Sequence, residues 1–182
     1  MMDKPSQRRE LKAIIANISD KARQSGIIAN ILQRTPLPSG SICIYNSLPS
    51  EVDTKEIIDY FCQTRDVYLP VVDGEDILLV KVDRDTEYKE AIWGIYEPIG
   101  ERLLPSEVCP SVTVTPLLGV DKRFNRLGKG KGYYDRYFNT VETYKVGLAF
   151  EEQVIDKVVC DSWDKPLDML TTPQGVIKRQ DL

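Results

Sequence analysis

Gly128, Gly130 and Gly132, separated by Lys129 and Lys131, stand between an apolar run and a segment of helical composition. This order of strand, glycine loop and helix constrains the chain more than any other feature. Glycine has no Cβ, so the backbone can turn tightly there and bring its N–H groups up to a bulky anion. Pro116 to Val120, an apolar run that follows Val112-Thr-Val-Thr115, predicts one buried strand from Val112 to Val120 leading into the loop. Tyr133 to Phe138 predicts a helix that begins near Gly132 and aims its first amides back at the same place.

Charge agrees with that reading. From Lys122 to Arg136 there are six basic residues and one acid, a local +5 in a chain of net charge -4. A basic island in an acidic protein points to one localised anionic ligand, such as a polyphosphate. A Gly- and Lys-rich stretch is also what a plain solvated loop looks like, and the GxxxxGK[ST] spacing of a P-loop is absent.

The 182 residues, 42% of them hydrophobic, predict one domain spanning 1–182 with a real core. Cys43, Cys62, Cys109 and Cys160 lie far apart with no CxxC pair. That argues for buried thiols in a reducing cytoplasm and against a zinc site or a disulfide framework. No signal peptide or membrane-length apolar run is found, so a cytoplasmic protein with no membrane partner is expected. The chain contains no histidine. Ser-His-Asp and Cys-His catalysis and histidine metal sites are thereby excluded. Phosphoryl transfer suits what remains, because it depends mostly on positioning and charge stabilisation.

Residues 1–34 predict two helices, with Leu11, Ile14, Ile15 and Ile18 as a stripe and Ser19-Asp20 capping the second. Strands are expected at 42–45, 67–72, 77–82 and 145–150, and a helix at 55–62 with Asp53 or Thr54 as its cap. Asp73-Gly74 predicts an antiparallel turn between the second and third of those strands. The fold class that follows is a three-layer α/β/α domain, a mixed, mostly parallel sheet with helices on both faces. The polar tail from 172 to 182 is expected to fray.

The run Arg126-Leu-Gly-Lys-Gly-Lys-Gly-Tyr-Tyr-Asp-Arg136, preceded by Asp121, resembles the RLGxGxGYYDR stretch of the 5-formyltetrahydrofolate cyclo-ligase family. Weaker matches agree in order: Lys4 and Arg8, Ser47 with Glu51 and Thr54, Tyr68 and Pro70, Glu97-Pro98, and Asp164 with Asp168. The chain departs from the family at Val120, where phenylalanine is usual, and at Phe124, where glycine is usual. Thr115-Pro116 replaces Val-Pro, and Cys160 replaces a proline.

The resemblance implies an enzyme that uses ATP as cosubstrate and Mg²⁺ to cyclise 5-formyltetrahydrofolate to 5,10-methenyltetrahydrofolate, releasing ADP and phosphate through a phosphorylated formyl group. It implies small-molecule partners, a reduced folate and ATP, with no nucleic acid; a monomer is expected. Roles carry over by position. Lys4, Arg8, Arg126, Leu127, Gly128, Lys129, Gly130, Lys131, Gly132, Tyr133 and Tyr134 would bind ATP, with Arg126 and Lys131 catalytic. Glu51, Asn46, Tyr68, Trp93 and Tyr133 would bind the folate, and Asp135 and Asp168 the metal.

Each has a plainer reading: solvated termini for Lys4 and Arg8, a salt bridge for Asp135, solvation for Asp168, a helix-start acid for Glu51, and core packing for the aromatics. Three rival functions stay open here. A nucleic-acid module would spread basic charge along a whole face. A sugar-phosphate isomerase or acyltransferase would need no ATP. A catalytically dead relative would keep the fold with a regulatory role.

Overall fold

The computed structural model describes residues 3–91 and 94–179. Helix α1 (Lys4–Ala16) starts where the Asp3 carboxylate accepts the Ser6 N–H at 2.8 Å, with Pro5 in its first turn. It buries Leu11 and Ile15. α2 (Lys21–Arg34) follows, but its Asp20 makes no capping bond and takes the Gln24 side-chain amide instead. Then come β1 (Ile42–Ile44), α3 (Lys55–Phe61), β2 (Val67–Asp73) and β3 (Asp76–Val82). An exposed two-stranded ribbon, β4 (Tyr88–Glu90) and β5 (Tyr96–Pro98), leads to the short α4 (Pro105–Val108). The second half runs β6 (Val112–Thr115), β7 (Gly119–Asp121), β8 (Arg126–Leu127), α5 (Tyr133–Thr140), β9 (Tyr144–Leu148), β10 (Val154–Ile155), β11 (Met169–Thr172) and β12 (Gly175–Lys178).

Seven strands form the main sheet in the order β12-β11-β9-β6-β1-β2-β3. The five central strands are parallel; β12 and β3 close the two edges antiparallel. Side-chain alternation splits the core between the faces. Ile42, Ile44, Val67, Leu69, Val112 and Val114 pack under α1, α2 and α3. Cys43, Ile77 and Leu79 point the other way, onto Tyr137 and Val141 of and beside α5. The layering is the α/β/α arrangement expected from the sequence.

Three local expectations are corrected. The four thiols are not all buried: Cys43 is, Cys62 is half-buried, and Cys109 and Cys160 are exposed because they lie in connections outside the strands and helices. The segment 112–120 is not one strand: β6 ends at Thr115, and Pro116, which has no N–H for a ladder, turns the chain out of the sheet. β7 then joins a separate three-stranded sheet with β8 and β10. The tail does not fray at 172, because β12 pairs with β11 from Thr172↔Gly175 to Met169↔Lys178. Among the described residues no helix is long and apolar enough to cross a membrane.

Candidate active site

β7 and β8 pair antiparallel through a tight connection, residues 122–125, and the buried Asp121 carboxylate holds that connection together. It accepts the N–H groups of Arg123, Asn125 and Val158 and the Asn125 side-chain amide, at 2.9–3.0 Å. Phe124 lies in the left-handed region at φ 66, a conformation that suits glycine. Its ring is 2% exposed, packed with Leu117, Val120, Ala149, Leu167 and Leu170. Burial of a phenylalanine here offsets the backbone cost of that conformation.

β8 delivers Arg126 and Leu127 to the start of the loop, and Gly132 at φ 73 turns the loop into α5. Each of the three glycines lies under an arginine. A Cβ on Gly128 would meet Arg126 Nη1 at 2.9 Å, on Gly130 Arg8 Cζ at 3.0 Å, and on Gly132 Arg136 Nη1 at 2.7 Å. Gly130 also has φ 97. Arg8 Nε donates to Gly128 O at 2.9 Å, tying α1 to the loop. Arg136 donates to Lys131 O at 3.1 Å and to Glu75 O, which ties the loop to the β2–β3 turn.

The loop walls a cleft of about 510 Å³. α1 contributes Lys4 and Arg8, and the loop and α5 contribute residues from Arg126 to Asp135. The chain after β1 adds Tyr45, Asn46, Leu48 and Glu51; β2, β3 and β5 add an apolar side with Pro70, Val72, Ile77 and Tyr96. The cleft lies beyond the carboxyl ends of β1 and β6, where parallel sheets place their ligands.

Arg126 is 8% exposed, and its Nη2 donates to Asp135 Oδ1 at 3.0 Å. Its guanidinium carbon stands 5.6 Å from the Tyr134 ring centroid. Arg126 Nε is one of two buried side-chain polar atoms without a partner among the described residues. Lys4 Nζ sits 2.6 Å from both Asp161 and Asp164. Burial works to lower the Lys4 pKa, but the two carboxylates outweigh it and the net shift is upward. Glu51, also 8% exposed, accepts the Leu48 N–H at 2.7 Å and pairs with Lys129 at 2.6 Å. Burial drives the Tyr134 hydroxyl well above the ordinary tyrosine range, with Cys43 and Glu51 adding and Arg126 opposing.

The structure therefore brings together Lys4, Arg8, Asn46, Glu51, the whole run from Arg126 to Tyr134, and Asp135. Asn46 reaches across to donate to Tyr96 O at 2.6 Å. Two expected residues are elsewhere. Asp168 precedes β11, at the amino ends of the parallel strands and away from the cleft, where it accepts from Lys145 N and pairs with Lys145 and Arg179. Tyr68 sits in mid-sheet opposite Cys43, packed into the α5 side of the core. Trp93 lies outside the described residues.

Sequence reasoning missed Tyr96, Trp163, Asp161 and Asp164 as parts of the wall. Tyr96 and Trp163 are 56% and 62% exposed, and a large exposed aromatic is a signal only once burial is known. Among the described residues no three carboxylates or thiols cluster as a preformed metal cage.

The family model for the 5-formyltetrahydrofolate cyclo-ligase family matches residues 1–173. The chain is 34% identical to 5-formyltetrahydrofolate cyclo-ligase of Haemophilus influenzae over 138 residues, 70% of this chain and 72% of that one. It is 30% identical to the Mus musculus protein of the same name over 181 residues, covering 88% and 89%. Its fold resembles the NMR structure of Aquifex aeolicus 5,10-methenyltetrahydrofolate synthetase, with TM-score 0.85 and 31% identity, covering 100% of this chain and 95% of that one.

Proposed function

This chain belongs to the 5-formyltetrahydrofolate cyclo-ligase family and is a ligase, and from that premise we propose that it uses ATP and Mg²⁺ to convert 5-formyltetrahydrofolate into 5,10-methenyltetrahydrofolate. The observation that carries the proposal is the make-up of the cleft beside the glycine loop. It combines a glycine loop flanked by Lys4, Arg8, Arg126, Lys129 and Lys131 with an apolar side and a nearly buried carboxylate, Glu51.

The formyl oxygen is a poor leaving group. Transfer of the ATP γ-phosphoryl group to that oxygen makes it a good one, and ADP leaves. N10 then attacks the activated carbon, the C–O bond breaks, and phosphate departs as the ring closes. The amide oxygen is a weak nucleophile, so the protein has to hold it in line with the γ-phosphorus and stabilise the developing charge. Lys4, Arg8, Lys129, Lys131 and the loop amides from Leu127 to Tyr134 would hold the triphosphate. Arg126 and Lys131 act at the phosphoryl group that moves. Arg126 suits that task because Asp135 fixes one end of its guanidinium while Nε keeps an unspent donor. Glu51 and Asn46 would receive the pterin, with Tyr133 beside its ring.

Hard oxygen donors fit Mg²⁺, and the cleft supplies them: Asp135 and Asp164 would hold the ion, which neutralises phosphate charge when bound. Asp164 takes this place because Asp168 is committed at the far end of the sheet.

The test is to mix the purified protein with 5-formyltetrahydrofolate, Mg²⁺ and ATP and follow the near-ultraviolet absorbance of the methenyl product. Product that forms only with ATP present supports the reading. Nucleotide binding without product points to a ligase with another substrate, and no binding of either ligand overturns the proposal.

A further inference from the structure

Glu51 and Lys129 come from distant stretches of chain, one after β1 and the other in the glycine loop, and they meet at 2.6 Å. The Glu51 side chain is 7% exposed and that of Lys129 37%. Glu51 Oε2 takes the Leu48 N–H, and Oε1 takes the lysine ammonium. A carboxylate so far withdrawn from water must be matched by donors or charge, or its burial is costly. Its neighbours offer little else: Tyr45 spends its hydroxyl on Val52 O. Lys129 is thus drawn back onto Glu51, while Lys131, two residues on, is in no ion pair among the described residues.

We infer that the Glu51–Lys129 pair couples the two substrates: in the free protein Glu51 withholds Lys129 from the phosphates, and a reduced folate that donates to Glu51 releases it. The inference rests on the reading of this cleft as a joint ATP and folate site. Pterin N–H groups replace the ammonium at Glu51 without stranding a buried charge. The freed lysine is partly exposed and sits on a flexible four-carbon stem, so it can turn to the triphosphate with no change in backbone. Coupling of this kind is reciprocal, so bound ATP, by drawing Lys129 away, leaves Glu51 open to the donors the folate brings. Lys129 is a positioning residue for the pairing of substrates as well as a phosphate contact.

The test measures, by titration calorimetry, the affinity of a non-hydrolysable ATP analogue for the folate-free protein and three variants. Glu51→Gln keeps an acceptor for Leu48 N and frees the lysine, so it should tighten the analogue by about fivefold or more. Lys129→Met alone should not tighten the analogue, because it removes a phosphate contact instead of freeing one and leaves the Glu51 carboxylate unmatched. The double variant should lose the gain. A gain that survives in the double variant would mean plain loss of negative charge, and the inference would be wrong. It would also be wrong if the wild-type protein binds the analogue and Glu51→Gln does not tighten it.

A second measurement needs no change at Glu51. Saturating 5-formyltetrahydrofolate should tighten the analogue in the wild-type protein and leave Lys129→Met unaffected; equal tightening in both overturns the coupling. Wild-type protein that binds no analogue at all would remove the underlying nucleotide reading, a result distinct from binding without coupling. Thermal melts of each variant confirm that affinities are compared between folded proteins.

Discussion

The Arg8 guanidinium lies flat enough on Gly130 that a Cβ there would meet Cζ at 3.0 Å, while Nε of the same arginine holds Gly128 O. Gly130→Ala has two effects at once. It strains a backbone at φ 97, at a cost of about 1–3 kcal/mol, and it pushes Arg8 off the loop. The expected result is a rise of about tenfold in KM for ATP, with a smaller loss in kcat and a melting temperature a few degrees lower. Steady-state kinetics at varied ATP check it; an unchanged KM would show that Arg8 has no part in nucleotide binding.

Arg126→Ala removes a buried guanidinium and leaves Asp135 without its partner. A charge-assisted hydrogen bond to phosphate contributes roughly 1.5–3 kcal/mol, so turnover should fall tenfold or more. Arg126→Lys should recover little, since an ammonium cannot hold Asp135 and phosphate in one plane. Wild-type kinetics in either variant would remove Arg126 from the mechanism.

Asp135 and Asp168 should separate cleanly. Asp135→Asn is expected to raise the Mg²⁺ concentration needed for half-maximal activity. Asp168→Asn loosens the ties to Lys145 and Arg179, costing about 1–3 kcal/mol of stability and leaving the Mg²⁺ requirement unchanged. Activity against Mg²⁺, paired with urea unfolding of each variant, distinguishes them.

Alkaline pH should unfold this protein early. Burial pushes the Cys43 thiol up to about 12 from 9.0, and burial raises the hydroxyls of Tyr45, Tyr134 and Tyr137 above 10.0. The folded state keeps these protons where the unfolded chain releases them. Their stability is therefore fully present below pH 9 and drains away as pH climbs toward 12, at up to about 1.4 kcal/mol per pH unit for each group. Urea midpoints between pH 7 and 11 measure the decline. Cys62 and Cys160 are raised from 9.0 by burial as well, so Cys43→Ala should make the decline between pH 9 and 10 shallower, and an unmoved slope would contradict the assignment.

The elements legible in the sequence were those with local causes. The stripe of Leu11, Ile14 and Ile15 marks α1, and the glycine loop with its helix reads directly from residue chemistry. The break at Pro116 was hidden because the apolar pattern runs straight through it into β7. Asp164 and Asp168 are indistinguishable as sequence; only the strand that starts at Met169 decides which end of the sheet each one faces. Tyr96 and Trp163 lie in stretches with no helical or strand periodicity to announce them, and they join the cleft through contacts made across the whole chain.

β12 lies beyond residue 173, where the match to the family stops, yet it is half of a hairpin with β11. A chain shortened to the family's extent would not lose a loose end. It would uncover Met169–Thr172, four residues buried throughout, and turn an interior strand into a border with its ladder groups unspent. Such a border recruits the next molecule through the same hydrogen bonds that β12 now satisfies. β12 thus serves as a selvedge: it keeps a fully buried strand off the border and puts a short, half-exposed one ending in Lys178 there instead.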